Sequence, residues 1–260
     1  SIRLTRFRVV TVIQPQGGHP AMHHLRDIRY FESADCLRLD SPMPGYAGKL
    51  FELPKEAVAL GQRIGRKCEE LGISIGNADH LYVCFTPSIE EGSLQHTGYA
   101  LERWHKFVMV GLANSYNRLP PDDQLSKVID ATFGAIETLA VSRAEALDAL
   151  RQEIVSKGSA LRVTLRTKQT KKYRVSVEQD VPVHPTPSRV IARIEELGTL
   201  RVLEVQVAEV RFHDDAPGLV DRLSIVDDML TIHPRKSFRA SLVGRDYELP
   251  LKVDLRRFAV

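Results

Sequence analysis

Apolar and polar residues alternate most regularly between Ala160 and Val181, and this alternation predicts a β-hairpin. Two segments, 161–166 and 173–178, are apolar at every second position and are separated by a lysine-rich turn. A period of two places one face of a hairpin on a core and the other in water. The residues predicted to face the core are Leu161, Val163, Leu165, Tyr173, Val175 and Val177.

Beyond this hairpin the pattern predicts strands almost to the C-terminus. The predicted strands cover 188–195, 200–212, 223–226, 229–233, 238–243 and 247–255. Asp227-Asp228 and residues 244–246 have the composition of hairpin turns. In the last strand, Leu249, Leu251 and Val253 belong to the side that we expect to face the core.

The N-terminal part mixes strands and helices. We predict strands over 7–13, within 28–39 and over 80–85, the last in a central sheet position because it is almost wholly apolar. Helices are predicted over 54–72, over 97–116, after Pro120-Pro121 to about Leu139, and from a capping box at Ser142 and Glu145 to about Gly158. Gly61 and Gly65 weaken the first helix, which predicts close packing there against a neighbouring element.

These patterns predict an α+β protein with two regions. Residues 1–158 form an α+β region with three or four helices, and residues 159–260 form an antiparallel β-rich region. A chain of 260 residues is long enough for one large domain or two ordinary ones. We find no internal repeat, and strands from the first region could join the sheet of the second.

Composition is that of a globular protein in a reducing compartment. The chain is 43% hydrophobic and 27% charged with a net charge of +3, so any recognition of anions has to be local. Three cysteines, Cys36, Cys68 and Cys84, are widely spaced; the last two occupy predicted core positions and should be buried free thiols. Arginines interrupt the first apolar run and no segment is long enough to span a membrane, so we expect a cytoplasmic protein without a membrane partner.

The predicted hairpin carries the main candidate surface. Between Arg162 and Arg174 the sequence has six basic residues and no acidic one, which predicts an electropositive ridge that could meet an anionic partner. An edge strand that is charged only to prevent aggregation explains the same residues equally well. The candidate partner-binding residues are Arg162, Arg166, Lys168, Lys171, Lys172 and Arg174.

Two motifs resemble catalytic or metal sites, and we favour structural interpretations of both. Residues 72–76 match the nucleophile-elbow pattern, but a helix precedes Ser74 and a strand follows it, which is the reverse of the required order. Gly72 is better explained as the end of a helix. His19, His23 and His24 could share a metal ion, yet a loop bounded by Gly and Pro with solvated histidines accounts for them.

Two further groups have the same ambiguity. The segment with His213, Asp214, Asp215 and Asp221 could hold a divalent cation, but a hydrophilic turn needs no extra assumption. On the predicted helix over 97–116, Trp104 is expected in the core and the neighbouring His105 at the edge of the apolar stripe. We therefore predict no catalytic residue, no metal ligand and no cofactor. The chain also lacks the phosphate-binding, dinucleotide-binding and zinc motifs of common enzymes.

The segment from His80 to Leu139 resembles, in its arrangement, the α+β immunity proteins that bacteria keep beside polymorphic or contact-dependent toxins. The resemblance rests on strand 81–85 leading into Thr86-Pro87, on the helix predicted around Trp104-His105-Lys106, and on the amphipathic helix that follows. It covers about a quarter of the chain and leaves the β-rich region unexplained. It implies a cytoplasmic, non-catalytic inhibitor that occludes the active site of a toxin.

Three functions remain as expectations. The first is a non-enzymatic protein-binding module, with toxin immunity as its specific form, that uses charge to steer association and a few buried anchors for affinity. The second is an enzyme or binding protein for a phosphate-bearing ligand, held by the basic hairpin and the loop from His213 to Asp221. The third is a nucleic-acid-binding protein that uses the same ridge, although Tyr173 is the only aromatic residue interleaved with it.

Overall fold

The structure is a computed structural model that describes residues 9–10, 23–34, 50–97, 102–199 and 201–256. The chain forms two compact units, one from residue 1 to 158 and the other from 159 to 260. The boundary lies at the C-terminus of a helix, where the mixed pattern of helices and strands gives way to strands.

A five-stranded sheet forms the base of the first unit. Strand β3 (His80–Thr86) lies inside this sheet, between β5 (His105–Gly111) and β2 (Asp27–Glu32), and is parallel to both, which confirms the interior position predicted for it. The shorter β4 is antiparallel to β5 and parallel to β1. The strands, in chain order, are β1 (Val9–Val10), β2 (Asp27–Glu32), β3 (His80–Thr86), β4 (Leu94–His96) and β5 (His105–Gly111).

The described residues of this unit form three α-helices, namely α1 (Glu56–Leu71), α2 (Pro121–Leu139) and α3 (Leu147–Lys157). The end of α1 at Gly72 is confirmed, since Gly72 has a φ of 73° and donates its amide to the carbonyl oxygen of Glu69. Helix α2 packs on the same face of the sheet as α1, because the hydroxyl groups of Tyr30 and Thr132 are hydrogen-bonded at 2.9 Å.

The predicted close packing at two glycines of α1 is also found. A Cβ atom on Gly61 would lie 2.6 Å from the carbonyl oxygen of Ile28, and one on Gly65 would lie 2.8 Å from the carbonyl group of Arg26. Real Cβ atoms do not approach backbone this closely, so α1 can lie on β2 only where it has no side chain. The crossover from β2 through α1 to β3 is therefore a tightly packed βαβ unit.

The helix predicted over 97–116 is wrong. Residues 94–96 and 105–111 form β4 and β5, and a short 3-10 helix covers Asn114–Arg118. Strand β5 is buried along most of its length, so it reads as a continuous apolar run without alternation. Trp104 precedes this strand and is 39% exposed, rather than lying in a helical core.

The capping box predicted at Ser142 and Glu145 is wrong as well. No side chain caps the turn that begins there, and Arg143, with a φ of 58°, precedes it. The hydroxyl of Ser142 instead donates to the carbonyl oxygen of Gly72 at 3.4 Å. The end of the last helix near Gly158 is confirmed.

The second unit is built from seven strands around one core. Strands β6 (Arg162–Gln169), β7 (Tyr173–Asp180), β8 (Ser188–Glu196) and β9 (Arg201–Val210) form one antiparallel sheet in that order. A second antiparallel sheet contains β10 (Arg222–Val226), β11 (Met229–His233) and β12 (Leu251–Asp254). Strand β10 lies beside β6 and β12 lies beside β9, and the two sheets enclose a shared apolar core.

Several predictions for this unit are confirmed and one strand is wrong. The Asp227-Asp228 turn joins β10 to β11 with φ values of 50° and 56°, and Leu251 and Val253 face the core as expected. Residues Phe238–Val243 form a short helix, α5, rather than a strand, and residues 244–246 form a 3-10 turn rather than a hairpin turn. The remaining helix is α4 (Ala216–Leu219).

The protein is thus an α+β mix, although strands occur early in the chain as well as late. In the part of the chain that the structure describes, no helix has both the length and the apolar character needed to cross a membrane. Cys68 and Cys84 are completely buried free thiols, as predicted. Cys36, His19 and most of the strand predicted over 7–13 lie outside the described residues.

Candidate functional site

The predicted basic hairpin exists, but a β-bulge divides its charged residues between two faces. Strands β6 and β7 pair in one register up to Thr164 and in a shifted register from Arg166 onward, with Leu165 as the extra residue. Past the bulge, Arg166 lies opposite Val177 and Lys168 lies opposite Val175. Cross-strand partners share a face, so Arg166 belongs to the core side of the sheet and its predicted place on the outward face is wrong.

Two of the hairpin arginines lie in ion pairs across the outward face. Arg162 approaches Glu204 at 3.0 Å and Glu178 at 3.7 Å, while Arg174 approaches Glu195 at 3.2 Å. These carboxylates come from β7, β8 and β9. The absence of acidic residues between positions 162 and 174 therefore does not leave this face positive, because neighbouring strands supply the opposite charge.

Two other cations of the hairpin join the two sheets of the unit. Arg166 donates to the carbonyl oxygen of Asp221 at 2.8 Å and lies 3.6 Å from its carboxylate, just before β10. At the tip of the hairpin, Lys172 and the hydroxyl of Tyr173 both bind Asp228 at 3.0 Å. Burial raises the pKa of Tyr173, which keeps this hydroxyl protonated as a donor.

Lys168 and Lys171 complete the predicted set. Within the described part of the chain, no carboxylate oxygen lies within ion-pair distance of either ammonium group. Lys171 is exposed at the turn. Lys168 is partly buried, on the same face of the sheet as Val175. Among the described residues, the hairpin therefore has two cations, Lys168 and Lys171, with no carboxylate within ion-pair distance.

A second surface of this unit combines apolar and basic side chains around α5. We define the α5 surface as Arg235, Lys236, Phe238, Arg239 and Leu242. Phe238 is 79% exposed and Leu242 40% exposed, and their spacing of four residues places them on the same side of the helix. A largely exposed phenylalanine beside a second exposed apolar residue is a feature of interaction surfaces.

The local sequence holds α5 in place. The hydroxyl of Ser237 accepts a hydrogen bond from the amide of Ala240 at 3.2 Å, which is the standard cap of a helix N-terminus. Ala240 is buried against Gly218 of α4, where a Cβ atom would lie at an ordinary contact distance of 3.5 Å. Because Ala240 is the inward residue, Phe238 is directed away from the core.

The cations of the α5 surface are only loosely held by acidic neighbours. Arg239 lies 3.5 Å from Asp215 and Arg235 lies 3.8 Å from Asp221, and both guanidinium groups are more than half exposed. Lys236 is exposed and has no carboxylate within ion-pair distance among the described residues. This surface therefore keeps a positive character next to its apolar residues.

The first unit contains a network of ionisable side chains that the sequence analysis missed. His80 places its Nδ1 atom 2.5 Å from Asp79 and its Nε2 atom 3.5 Å from Asp27. Burial acts to raise the pKa of Asp27, but hydrogen bonds from Arg29 and Gln62 outweigh it and leave the pKa below its ordinary value. Both imidazole nitrogens face carboxylates, so the network joins the starts of β2 and β3.

His105 lies next to this network on the neighbouring strand. Its ring centroid is 5.3 Å from that of His80, and its Nε2 atom is 3.3 Å from the hydroxyl of Tyr82. Burial lowers the pKa of His105 and raises that of Tyr82, so both groups are neutral near neutral pH. These residues come together because of strand register, since Asp27, His80 and His105 are the first residues of three adjacent parallel strands. No local sequence motif connects them.

The other candidate motifs do not assemble into reactive sites in the described residues. No group of three His, Cys, Asp or Glu side chains there is arranged to hold a metal ion. Asp215 and Asp221 are instead paired with arginines. Ser74 is completely buried and its hydroxyl bonds to the backbone of Gly76, which agrees with the structural interpretation of that motif.

Comparison with known proteins gives no relative, since no family model, no curated protein and no solved structure matches the chain.

Proposed function

We propose that the protein is a non-enzymatic protein-binding module and that it binds its partner through the α5 surface. The observation that carries this proposal is the 79% exposure of Phe238. Transfer of a phenylalanine side chain from water to an apolar pocket is favourable by about 1.5–3 kcal/mol. Aromatic side chains that fill a pocket on the partner, next to arginines, are typical anchors of protein interfaces.

The charge of the α5 surface supports a partner with an acidic surface. Arg235, Lys236 and Arg239 flank Phe238, and their acidic neighbours hold two of them only loosely. Opposite charge across an interface speeds the encounter, while the apolar anchor contributes affinity. The partner that fits this chemistry has carboxylates around an apolar depression.

The two alternative functions have less support in the arrangement of the hairpin. Four of its six cations, Arg162, Arg166, Lys172 and Arg174, lie within ion-pair distance of carboxylates of the same unit. A phosphate group or a nucleic-acid backbone would have to displace these carboxylates, at a cost that offsets part of its own attraction. Binding of a phosphate-bearing ligand or of nucleic acid therefore ranks below protein binding.

Toxin immunity is the specific form of the proposal, in which the acidic partner is a toxin domain and the protein acts in the bacterial cytoplasm. Of the features that carry the resemblance to immunity proteins, β3 and α2 remain, while the segment around Trp104 leads into a strand. This form is tested by the identity of the partner.

The experiment is site-specific photo-crosslinking in the cells from which the protein comes. A photoreactive phenylalanine analogue replaces Phe238 in one variant and Val226, which is also largely exposed at 64%, in a matched control. We expect one discrete protein adduct at position 238 that is absent at position 226, with an acidic protein as the partner. A lipid adduct at 238 would indicate a membrane surface instead, and equal labelling at both positions would contradict the proposal.

A further inference from the structure

A cavity of about 830 Å³ lies in the first unit between α1, α2, α3 and the end of β5. Its size falls in the range of small-molecule sites and is far larger than the voids of packed interiors. Much of its lining is apolar and comes from four elements: Leu60, Val110, Leu112, Leu125, Ile129 and Ile154.

Glycines shape one end of this cavity. A Cβ atom on Gly111 would lie 1.9 Å from the carbonyl oxygen of Glu90, so the loop after β3 can fold against β5 only because that position has no side chain. The amide of Gly92 donates to the carbonyl oxygen of Gly111 at 3.0 Å and fixes the loop there. The next residue along the loop from Glu90, Glu91, is thereby placed in the cavity lining.

A buried arginine provides the cationic group of the cavity. The side chain of Arg63 is 1% exposed and lines the cavity, and it pairs with Glu56 at 2.8 Å. Its Nε atom also donates to the carbonyl oxygen of Ala59. A guanidinium group that is buried this deeply has to keep an anionic or hydrogen-bonding partner.

The side chains of Arg63 and Glu56 differ in how far they can move. Glu56 is 34% exposed at the start of α1 and can turn into solvent, whereas Arg63 cannot leave the interior. An incoming anion can therefore take the place of Glu56 without exposing an unpaired charge. The other cations of the lining, Lys127 and Arg151, are paired with Glu91 and Asp130, and these four side chains are all a third or more exposed.

We propose that this cavity binds an amphipathic monocarboxylic acid, with its carboxylate on Arg63 in place of Glu56 and its apolar chain against the lining of α2, α3 and β5. A single charge fits better than a phosphate group, because Glu56, Glu91, Asp122 and Asp130 all line the cavity and would repel a dianion. A planar carboxylate also matches the fork of donors on one guanidinium group. This site is independent of the α5 surface and of the proposed protein partner.

The test is calorimetric titration of the full-length protein with decanoate and, separately, with decanol, which has the same chain without the charge. We expect decanoate to bind at one saturable site and to bind at least about tenfold more tightly than decanol, a difference of about 1.4 kcal/mol. Equal affinity for both ligands, or no saturation below the concentration at which decanoate forms micelles, would overturn the proposal.

Three variants assign the binding to this cavity. Ile129→Trp fills the cavity and should abolish binding of both ligands, while Val141→Trp, at a position that is 61% exposed and outside the lining, should leave binding unchanged. Glu56→Gln removes the competing carboxylate and should tighten decanoate binding several-fold without an effect on decanol. Circular dichroism checks that each variant folds, and Leu125→Trp replaces Ile129→Trp if that variant does not. Unchanged affinity in both Glu56→Gln and the folded cavity-filling variant would contradict the assignment.

Discussion

Tyr173 donates its hydroxyl hydrogen to Asp228 at 3.0 Å, and Lys172 binds the same carboxylate oxygen at the same distance. These contacts join the tip of the β6–β7 hairpin to the β10–β11 turn, which belongs to the other sheet of the second unit. The hairpin that the sequence presents as a binding ridge thus has a structural part in joining the two sheets. Two of its cations, Arg166 and Lys172, pair with carboxylates at the boundary between the two sheets. Two more, Arg162 and Arg174, form ion pairs on the outward face.

The contact of Lys172 and Tyr173 with Asp228 predicts that the stability of the protein depends on pH. Hydrogen bonds from Lys172 and Tyr173 lower the pKa of Asp228 below its ordinary value of 3.8. A lowered pKa in the folded state means that the contribution to stability is complete above 3.8 and is lost as the pH falls through the folded pKa. We expect Asp228→Asn to lower the urea midpoint at neutral pH and to match the wild type once the pH is low enough to protonate the carboxylate of the folded protein. A difference between the two proteins that does not shrink in acid would contradict this assignment.

Charge reversal separates the structural cations of the hairpin from the others. Lys172→Glu places a carboxylate beside Asp228 and should lower the midpoint of urea unfolding clearly. Lys171→Glu, one residue away at an exposed position without an internal counterion, should change stability by less than about 0.5 kcal/mol. Equal effects of the two changes would mean that the contact between Lys172 and Asp228 does not form in solution.

The close approach of α1 to β2 predicts the effect of single methyl groups. Gly61→Ala and Gly65→Ala should each destabilise the protein by about 1–3 kcal/mol, because the new Cβ atom would lie within 2.8 Å of backbone atoms. In a free helix the same changes would be stabilising. Gly198→Ala is the control, since a Cβ atom there would meet nothing within 4 Å. Urea unfolding of the three variants measures the difference, and stable Gly61→Ala and Gly65→Ala proteins would show that α1 does not lie on β2 this closely.

Strands that are buried on both faces lack the alternation of apolar and polar residues by which a strand is predicted from sequence. Consecutive residues from Phe107 to Gly111 of β5 are buried, so both faces of this strand are covered and its sequence has no alternation. The spacing of Trp104, Val108 and Gly111 fits a helix only by coincidence. Strands β7 and β11 each turn one face to water, and there the alternation predicted them correctly. The parallel arrangement of β2, β3 and β5 depends on long-range pairing, which no local pattern encodes.

The shifted register of the hairpin and the helix α5 were missed for related reasons. The extra residue at Leu165 moves Arg166 to the other face, and nothing in the alternation of β6 marks it as a bulge. Phe238, Ala240 and Leu242 alternate like a strand, while the N-terminal cap at Ser237 is a helix signal that the sequence does contain. The strand predicted over 238–243 gave no indication that Phe238 is exposed, which the structure shows.

The two described cysteines predict a simple labelling result. Cys68 and Cys84 are completely buried, and burial raises the pKa of Cys68 to about 12, so little thiolate forms near neutral pH. In a Cys36→Ser background, both thiols should react with a maleimide at least about a hundredfold more slowly in the native protein than in urea. Mass spectrometry of the labelled peptides gives the two rates. Rapid native labelling of both would contradict the packing of α1 and β3.

The central claim is that the α5 surface binds an acidic protein through Phe238. The most direct measurement is the affinity of the purified protein for the partner identified by crosslinking, compared between Phe238→Ser and the matched surface change Val226→Ser. We expect Phe238→Ser to weaken binding at least about tenfold, since an interface anchor contributes about 2 kcal/mol, and Val226→Ser to bind like the wild type. Equal affinity of the Phe238→Ser and Val226→Ser proteins would contradict the account.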